Sequence, residues 1–149
     1  MYFFTDEKLK TVFGWSAKCG CEHIKRIFWY LYNDIIDNLI HKSIEYSDLP
    51  NDIENYTVII VIRNPYERLV SGFLNKYKKN GQFRHKWLSE EIIFSDFVDN
   101  LLKKKWNLID MHHFTPQTSE KFDHDKLLKS KELKVYDITP FYISNADYL

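Results

Sequence analysis

The feature that most constrains the fold is an uninterrupted run of six β-branched residues, Thr57–Ile62. Such residues favour extended backbone, and a run without polar alternation is typical of a parallel strand buried on both faces. Asn64 and Pro65 follow, and these residue types cap and begin helices. The sequence therefore predicts a central parallel strand, followed at once by a helix that starts at Pro65.

The helix predicted from Pro65 carries apolar residues at helical spacing, which predicts a buried stripe. The members of that stripe are Leu69, Val70, Phe73, Leu74 and Tyr77. Glu67 lies where a capping box places its acid. The Lys-Lys-Asn-Gly sequence at residues 78–81 is expected to end the helix.

A second strand–loop–helix unit lies upstream, with a short apolar strand at Thr11–Trp15 and a polar loop after it. The predicted helix has an apolar stripe formed by Ile24, Ile27, Phe28, Leu31, Ile35 and Leu39. Two such units predict an α/β fold with an open, mainly parallel sheet flanked by helices. Ligands of such sheets bind beyond the carboxyl ends of the strands, where both loops lie.

The remaining segments give weaker patterns. Residues 95–105 predict a helix capped by Ser95, residues 107–119 a loop, and residues 133–138 one more strand. His124 lies between two aspartates and is interpreted as part of a solvated turn. A length of 149 residues suits one compact domain, so we expect residues 1–149 to form a single domain.

Charge and cysteine content exclude several classes of protein. The 21 basic residues balance the 21 acidic ones, so no overall positive field attracts nucleic acid, and anion binding must be local. No apolar run approaches the roughly 20 residues that span a bilayer, and the N-terminus lacks signal-peptide features. Cys19 and Cys21 are too close for ordinary disulfide geometry. A soluble protein of the reducing cytoplasm is expected.

The loop after the first strand is a candidate anion site. Lys18 and the backbone amides from Gly20 to His23 would surround a phosphate at the positive end of the following helix. Gly20 would let the backbone approach closely. The pattern is common and lacks the Walker phosphate-loop sequence, so an ordinary structural turn remains an alternative.

The second candidate anion site is at the end of the central strand. Arg63 ends that strand, and Ser71 lies about two turns into the next helix, on the face of Glu67 and Arg68. Arg63 and Ser71 are predicted to hold one phosphate. The alternative is a solvated strand end and an ordinary surface serine.

Three segments together resemble a known family. Residues 61–73, Val-Ile-Arg-Asn-Pro-Tyr-Glu-Arg-Leu-Val-Ser-Gly-Phe, resemble the 3′-phosphate motif of sulfotransferases that use 3′-phosphoadenosine 5′-phosphosulfate (PAPS). The resemblance is greatest to the Golgi carbohydrate sulfotransferases. Residues 18–21, Lys-Cys-Gly-Cys, resemble the family's 5′-phosphosulfate loop, and residues 113–117, His-Phe-Thr-Pro-Gln, resemble its His-Trp-x-Pro-Gln segment.

The resemblance implies a metal-free enzyme that transfers a sulfuryl group from PAPS to a hydroxyl of a carbohydrate or another small acceptor. Adenosine 3′,5′-bisphosphate would be released. The implied nucleotide-binding residues are Lys18, Cys19, Gly20, Cys21, Glu22, His23, Arg63 and Ser71. Lys18 would also stabilise the charge on the departing phosphate. A Golgi-lumen location follows instead if the chain is an excised domain.

His113 is the predicted general base, because imidazole titrates near neutrality and the residue lies in the family-like segment. His112 is its rival. The two histidines and Asp110 also raise the alternative of a metal site, but adjacent histidines lack helical ligand spacing.

Two positions depart from the family pattern: Ala17 replaces a usual proline, and Glu22 replaces a usual Ser or Thr. A carboxylate about 4 Å from a phosphate charge costs roughly 4 kcal/mol at an effective dielectric constant near 20. Glu22 therefore leaves open a pseudoenzyme that binds PAPS or its product without turnover. A nucleotide kinase, dependent on ATP and magnesium, is a further alternative.

Overall fold

The computed structural model describes residues 1–20, 23–27, 30, 48–78, 81, 92–118 and 122–140. The chain divides into two compact units, one of Met1–Arg63 with Gln117–Leu149 and the other of Asn64–Pro116. The prediction of a single domain stays a prediction. In the described ranges, no helix has the length and apolar character needed to cross a membrane.

The described elements are four strands, four α-helices and a short 3-10 helix at Ile53–Asn55, with residues 23–27 also helical. The strands are β1 (Tyr2–Asp6), β2 (Thr11–Trp15), β3 (Thr57–Ile62) and β4 (Glu132–Asp137). The helices are α1 (Pro65–Lys76), α2 (Phe94–Leu102), α3 (Met111–Phe114) and α4 (His124–Leu128).

The first unit contains a sheet with strand order β1-β2-β3-β4. The β2–β3 and β3–β4 pairs are parallel, whereas β1 pairs with β2 in the antiparallel direction. The predicted α/β fold with an open, mainly parallel sheet is confirmed. The β-branched run forms the strand between two parallel neighbours, as its composition predicts.

Strand β1 was not predicted, because residues 1–6 were considered only as a possible signal peptide. A tight turn joins β1 to β2, and the Asp6 carboxylate accepts hydrogen bonds from the amides of Lys8 and Leu9 at 2.9 Å each. Such an aspartate-stabilised turn is a recognised local signal. The feature of the sequence that could have predicted β1 is the aromatic segment before Asp6.

Alternation along the strands gives the sheet two apolar faces. One face is a core of Met1, Phe3, Val12, Ile53, Tyr56, Val58, Ile60 and Leu127. The other is a core of Phe4, Trp15 and Ile24. Helix α4 contributes Leu127 to the first face, and helical residue Ile24 contributes to the second. The sheet is therefore covered by helical residues on both sides.

In the second unit, α1 begins as predicted. The Asn64 side chain accepts hydrogen bonds from the amides of Tyr66 and Glu67 at 2.9 and 3.3 Å, and Pro65 is the first helical residue. The buried core of this unit is formed by Phe73, Tyr77, Ile92, Phe97, Ile109 and Phe114.

The predicted apolar stripe of α1 needs a correction. Val70 and Leu74 are each 41% exposed, whereas Arg68 and Gly72 are buried with Phe73. The buried face is thus rotated toward Arg68, because that side chain finds carbonyl acceptors and Gly72 admits an aromatic ring, as described below. In the upstream helix, Ile27 is likewise 55% exposed, and Phe28, Leu31, Ile35 and Leu39 lie outside the described residues.

Three further predictions of local structure need correction, although the helix predicted at residues 95–105 is present as α2. Helix α2 begins at Phe94 and ends at Leu102, and its N-cap is Ile93 instead of Ser95. The ring centroid of Phe94 lies 5.1 Å from that of Phe73. The predicted loop 107–119 contains helix α3. The predicted turn at His124 is helix α4, whose N-cap Asp123 accepts a hydrogen bond from the amide of Lys126.

Candidate active site

The loop after β2 makes a tight turn into the next helix. Lys18 and Gly20 have φ angles of 65° and 69°, and the amide of Cys19 donates to the Ser16 carbonyl at 3.1 Å. The amide of Ile24 donates to the Gly20 carbonyl at 3.0 Å, which begins the helical residues 23–27. A left-handed conformation costs a non-glycine residue about 1–2 kcal/mol, so tertiary contacts must hold Lys18.

The predicted ligands of this loop differ in exposure. Cys19 is fully buried, and His23 is exposed in the first helical turn. Cys21 and Glu22 lie outside the described residues. Whether any of these residues binds a phosphate stays a prediction.

Arg63 lies immediately after β3 and is only 6% exposed. Its Nη1 donates to the carbonyl of Lys18 at 3.4 Å. Arg63 is therefore a buried residue and not a solvated strand end. The structure brings Arg63 together with the loop of Lys18, as expected for adjacent parallel strands whose carboxyl ends share one edge.

Gln117 connects these two segments through hydrogen bonds of its side chain. It was not predicted as a site residue. Its Oε1 accepts from the amide of Arg63 at 3.2 Å, and its Nε2 donates to the carbonyl of Arg63 at 2.7 Å. The Cys19 thiol also donates to Oε1 at 3.2 Å. The signal available in the sequence was the position of Gln117 in the family-like segment.

In the second unit, α1 holds the segment that contains His113. Arg68 is 7% exposed, and its Nη2 donates to the carbonyls of His113 and Thr115 at 2.9 Å each. Gly72 lies against the ring of Phe114, where an added Cβ would be 2.6 Å from the nearest ring carbon. Ser71, the predicted phosphate ligand on this helix, is partly buried.

His113 and Asp110 form a close pair within the second unit. The His113 Nδ1 makes a short contact with Asp110 Oδ2, and the two side chains are 17% and 13% exposed. If Nδ1 carries the proton that Asp110 accepts, Nε2 keeps its lone pair. Burial lowers the pKa of His113 to about 4, although the hydrogen bond with Asp110 opposes this shift. The ring is therefore neutral at pH 7.

His112, the rival base, is exposed, and its ring lies 4.7 Å from that of His113. Asp110 also accepts from the amide of His112 at 3.1 Å, so this aspartate caps α3 as well as contacting His113. Within the part of the chain that the structure describes, no group of three His, Cys, Asp or Glu side chains is arranged to hold a metal ion.

Comparisons with known proteins agree with the motifs. The family model described as "Sulfotransferase family" matches residues 1–137. Carbohydrate sulfotransferase 9 of Homo sapiens is 30% identical over 105 residues, which cover 60% of this chain and 24% of that protein. Carbohydrate sulfotransferase 8 of Mus musculus is 25% identical over 104 residues, which cover 60% of this chain and 25% of that protein.

The chain spans about a quarter of the length of these curated relatives. No solved structure matches it significantly. The family match covers most of the chain, including both β2 and β3 and the loops that follow them. The chain therefore belongs to the sulfotransferase family.

Proposed function

We propose that the protein transfers a sulfuryl group from PAPS to a hydroxyl of a carbohydrate acceptor and releases adenosine 3′,5′-bisphosphate. The observation that carries this proposal is the buried Arg63 guanidinium, which reaches the Lys18 carbonyl in the loop after β2. The sulfotransferase family generally uses PAPS as its sulfate donor. The carbohydrate acceptor is inferred from the names of the relatives.

The residues of the first unit fit an anionic ligand. The Lys18 ammonium and the Arg63 guanidinium belong to segments in direct contact, and cationic groups of this kind recognise phosphate through charge-assisted hydrogen bonds. Ser16, which precedes the loop, is 4% exposed, and its Oγ has no hydrogen-bond partner among the described residues. A buried hydroxyl without a partner is unfavourable unless a ligand or water satisfies it.

We assign roles to the nucleotide-binding residues on this basis. Lys18 stabilises the negative charge that grows on the 5′-phosphate as the S–O bond to that phosphate breaks. Arg63 binds the 3′-phosphate, and Ser71 is assigned to the same phosphate from its position about two turns into the next helix and from the family resemblance. The segment that supplies the remaining contacts to the 5′-phosphosulfate consists of Cys19, Gly20, Cys21, Glu22 and His23.

PAPS, when bound, supplies the activated sulfuryl group, and the acceptor hydroxyl needs a base. We assign that role to His113, because Asp110 contacts its Nδ1 and leaves Nε2 to accept the hydroxyl proton. The lowered pKa keeps the ring unprotonated at neutral pH but also makes it a weaker base than free imidazole, so the assignment rests on the contact that orients the ring. His112 is exposed, whereas His113 is mostly buried and paired with Asp110, which favours His113.

Ligand-induced changes in melting temperature test the nucleotide preference. Ligand at about 100 times its Kd stabilises a folded protein by roughly 2.7 kcal/mol. We expect adenosine 3′,5′-bisphosphate to raise the melting temperature of the wild type, and to raise that of Lys18→Ala less. ATP with magnesium is expected to have little effect. A larger shift with ATP and magnesium would support a nucleotide kinase and contradict the proposal.

A further inference from the structure

We infer that Gln117 is a positioning residue that sets nucleotide affinity by holding Arg63 against the loop of Lys18. This inference rests on the proposed function, because the affinity concerned is that for adenosine 3′,5′-bisphosphate. Gln117 acts through its neighbours and is not itself assigned a contact with the nucleotide.

The first step concerns the backbone of Arg63. The parallel β3–β4 ladder ends where Ile62 pairs with Asp137, and the amide of Ile138 donates to the Ile62 carbonyl at 3.0 Å. Arg63 lies one residue beyond the ladder and is buried, so its amide and carbonyl need other partners. The Gln117 side chain satisfies both groups and so extends the ordered strand by one residue.

The second step concerns the loop after β2. The same Oε1 that accepts from the amide of Arg63 also accepts from the thiol of Cys19. Cys19 follows Lys18, whose left-handed backbone needs support from its surroundings. One amide oxygen therefore contacts both the end of β3 and the loop proposed to bind the 5′-phosphosulfate.

The consequence is that Gln117 fixes the separation of two cationic segments before a ligand binds. Arg63 adds a second link through its Nη1 contact with the Lys18 carbonyl. Binding sites gain affinity when charged groups are already held in the geometry of the complex, because no further conformational entropy is lost in ordering them when the ligand binds. Loss of Gln117 should therefore weaken nucleotide binding although the phosphate-binding side chains are unchanged.

A purely structural role predicts a different result. If Gln117 only satisfies buried backbone groups, its removal lowers the stability of the fold, and affinity in the folded protein stays unchanged. Asn55 provides a control in the same unit, because its exposed side-chain amide donates to Asp52 at 3.3 Å, in the 3-10 turn just before the start of β3.

Isothermal titration calorimetry with adenosine 3′,5′-bisphosphate tests the inference on the full chain. We expect Gln117→Ala to bind roughly tenfold more weakly than the wild type, the effect of losing one or two net hydrogen-bond contributions. Gln117→Met keeps the length of the side chain without its polar atoms and should show a similar loss, so it replaces Gln117→Ala if that variant does not fold. Asn55→Ala should bind like the wild type.

A double-mutant cycle with Arg63→Ala separates positioning from an independent effect. If Gln117 acts largely through Arg63, Gln117→Ala should weaken binding less than about threefold in the Arg63→Ala background. Equal losses in both backgrounds would overturn the inference. Wild-type affinity in both folded Gln117 variants would also overturn the inference, but it would leave the proposed function intact. A wild type that does not bind adenosine 3′,5′-bisphosphate would overturn both.

Discussion

Two arginines that are close in sequence are buried for different reasons. Arg63 extends from the end of β3 to the carbonyl of Lys18, whereas Arg68 donates two hydrogen bonds to carbonyls of the segment that carries His113. Both use the planar, multi-donor guanidinium, for which lysine is a poor substitute. The family-like motif thus combines one proposed ligand-binding arginine with one that stabilises the second unit.

Ser71 provides a test that depends on the 3′-phosphate alone. Ser71→Ala should weaken binding of adenosine 3′,5′-bisphosphate severalfold, in line with a loss of about 1 kcal/mol, because a hydroxyl donor to that phosphate is removed. Binding of adenosine 5′-monophosphate, which lacks this phosphate, should change little. Calorimetric titration of both ligands checks the assignment, and equal losses would contradict it.

His113 gives a prediction about pH. Its folded-state pKa of about 4 lies below the ordinary value of 6.5, so the unfolded chain binds more protons between these two values. The contribution of neutral His113 is therefore complete above pH 6.5 and is lost as the pH falls toward 4. Urea unfolding should give a lower free energy of unfolding at pH 5 than at pH 7.

The control for this prediction is a matched pair of histidine variants. His113→Gln should reduce the difference between pH 5 and pH 7, whereas His124→Gln, at a 67% exposed side chain, should leave it unchanged. A His113→Gln protein with the same pH dependence as the wild type would show that other groups cause it.

The roles of individual residues were only partly accessible from the sequence. Lys18 and Arg63 could be chosen because Lys18 lies in the loop after one recognisable strand and Arg63 is at the end of another. Gln117 could not be linked to Arg63, because the two residues are 54 positions apart in the sequence and the intervening chain must fold before the contact exists. Asp110 was considered only as a metal ligand, since its contact with His113 depends on the short helix α3, which the sequence analysis interpreted as loop.

Helix α1 gives the clearest relation between local sequence and structure. The β-branched run predicted β3, and Asn64 with Pro65 predicted where α1 starts. The buried face of α1 was not predictable from hydrophobicity, because Arg68 and Gly72 occupy it in place of Val70 and Leu74. Arg68 and Gly72 are buried because they pack against residues 113–115, which lie more than 40 residues away in sequence.

Gly72 provides a test of that packing. Gly72→Ala would place a Cβ 2.6 Å from the Phe114 ring. Although alanine favours helix, overpacking of this kind typically costs about 1–3 kcal/mol, so we expect a lower free energy of unfolding. Asn75→Ala, on the exposed side of the same helix, should be neutral or slightly stabilising. Urea titration compares them, and an unchanged or more stable Gly72→Ala protein would contradict the contact.

For the whole molecule, two strand–loop–helix patterns were enough to predict the mainly parallel sheet and the edge at which Lys18 and Arg63 meet. The division into two compact units was not predicted, because it depends on which distant segments pack together. The family match spans both units, since it covers residues 1–137.

Transfer of labelled sulfate from PAPS to a panel of carbohydrate acceptors tests the central claim most directly. The account predicts labelled product and release of adenosine 3′,5′-bisphosphate with at least one acceptor. His113→Ala should reduce turnover roughly 100-fold, with nucleotide affinity nearly intact. Tight binding of adenosine 3′,5′-bisphosphate, with no transfer to any acceptor of the panel, would contradict the proposed activity and favour a nucleotide-binding pseudoenzyme.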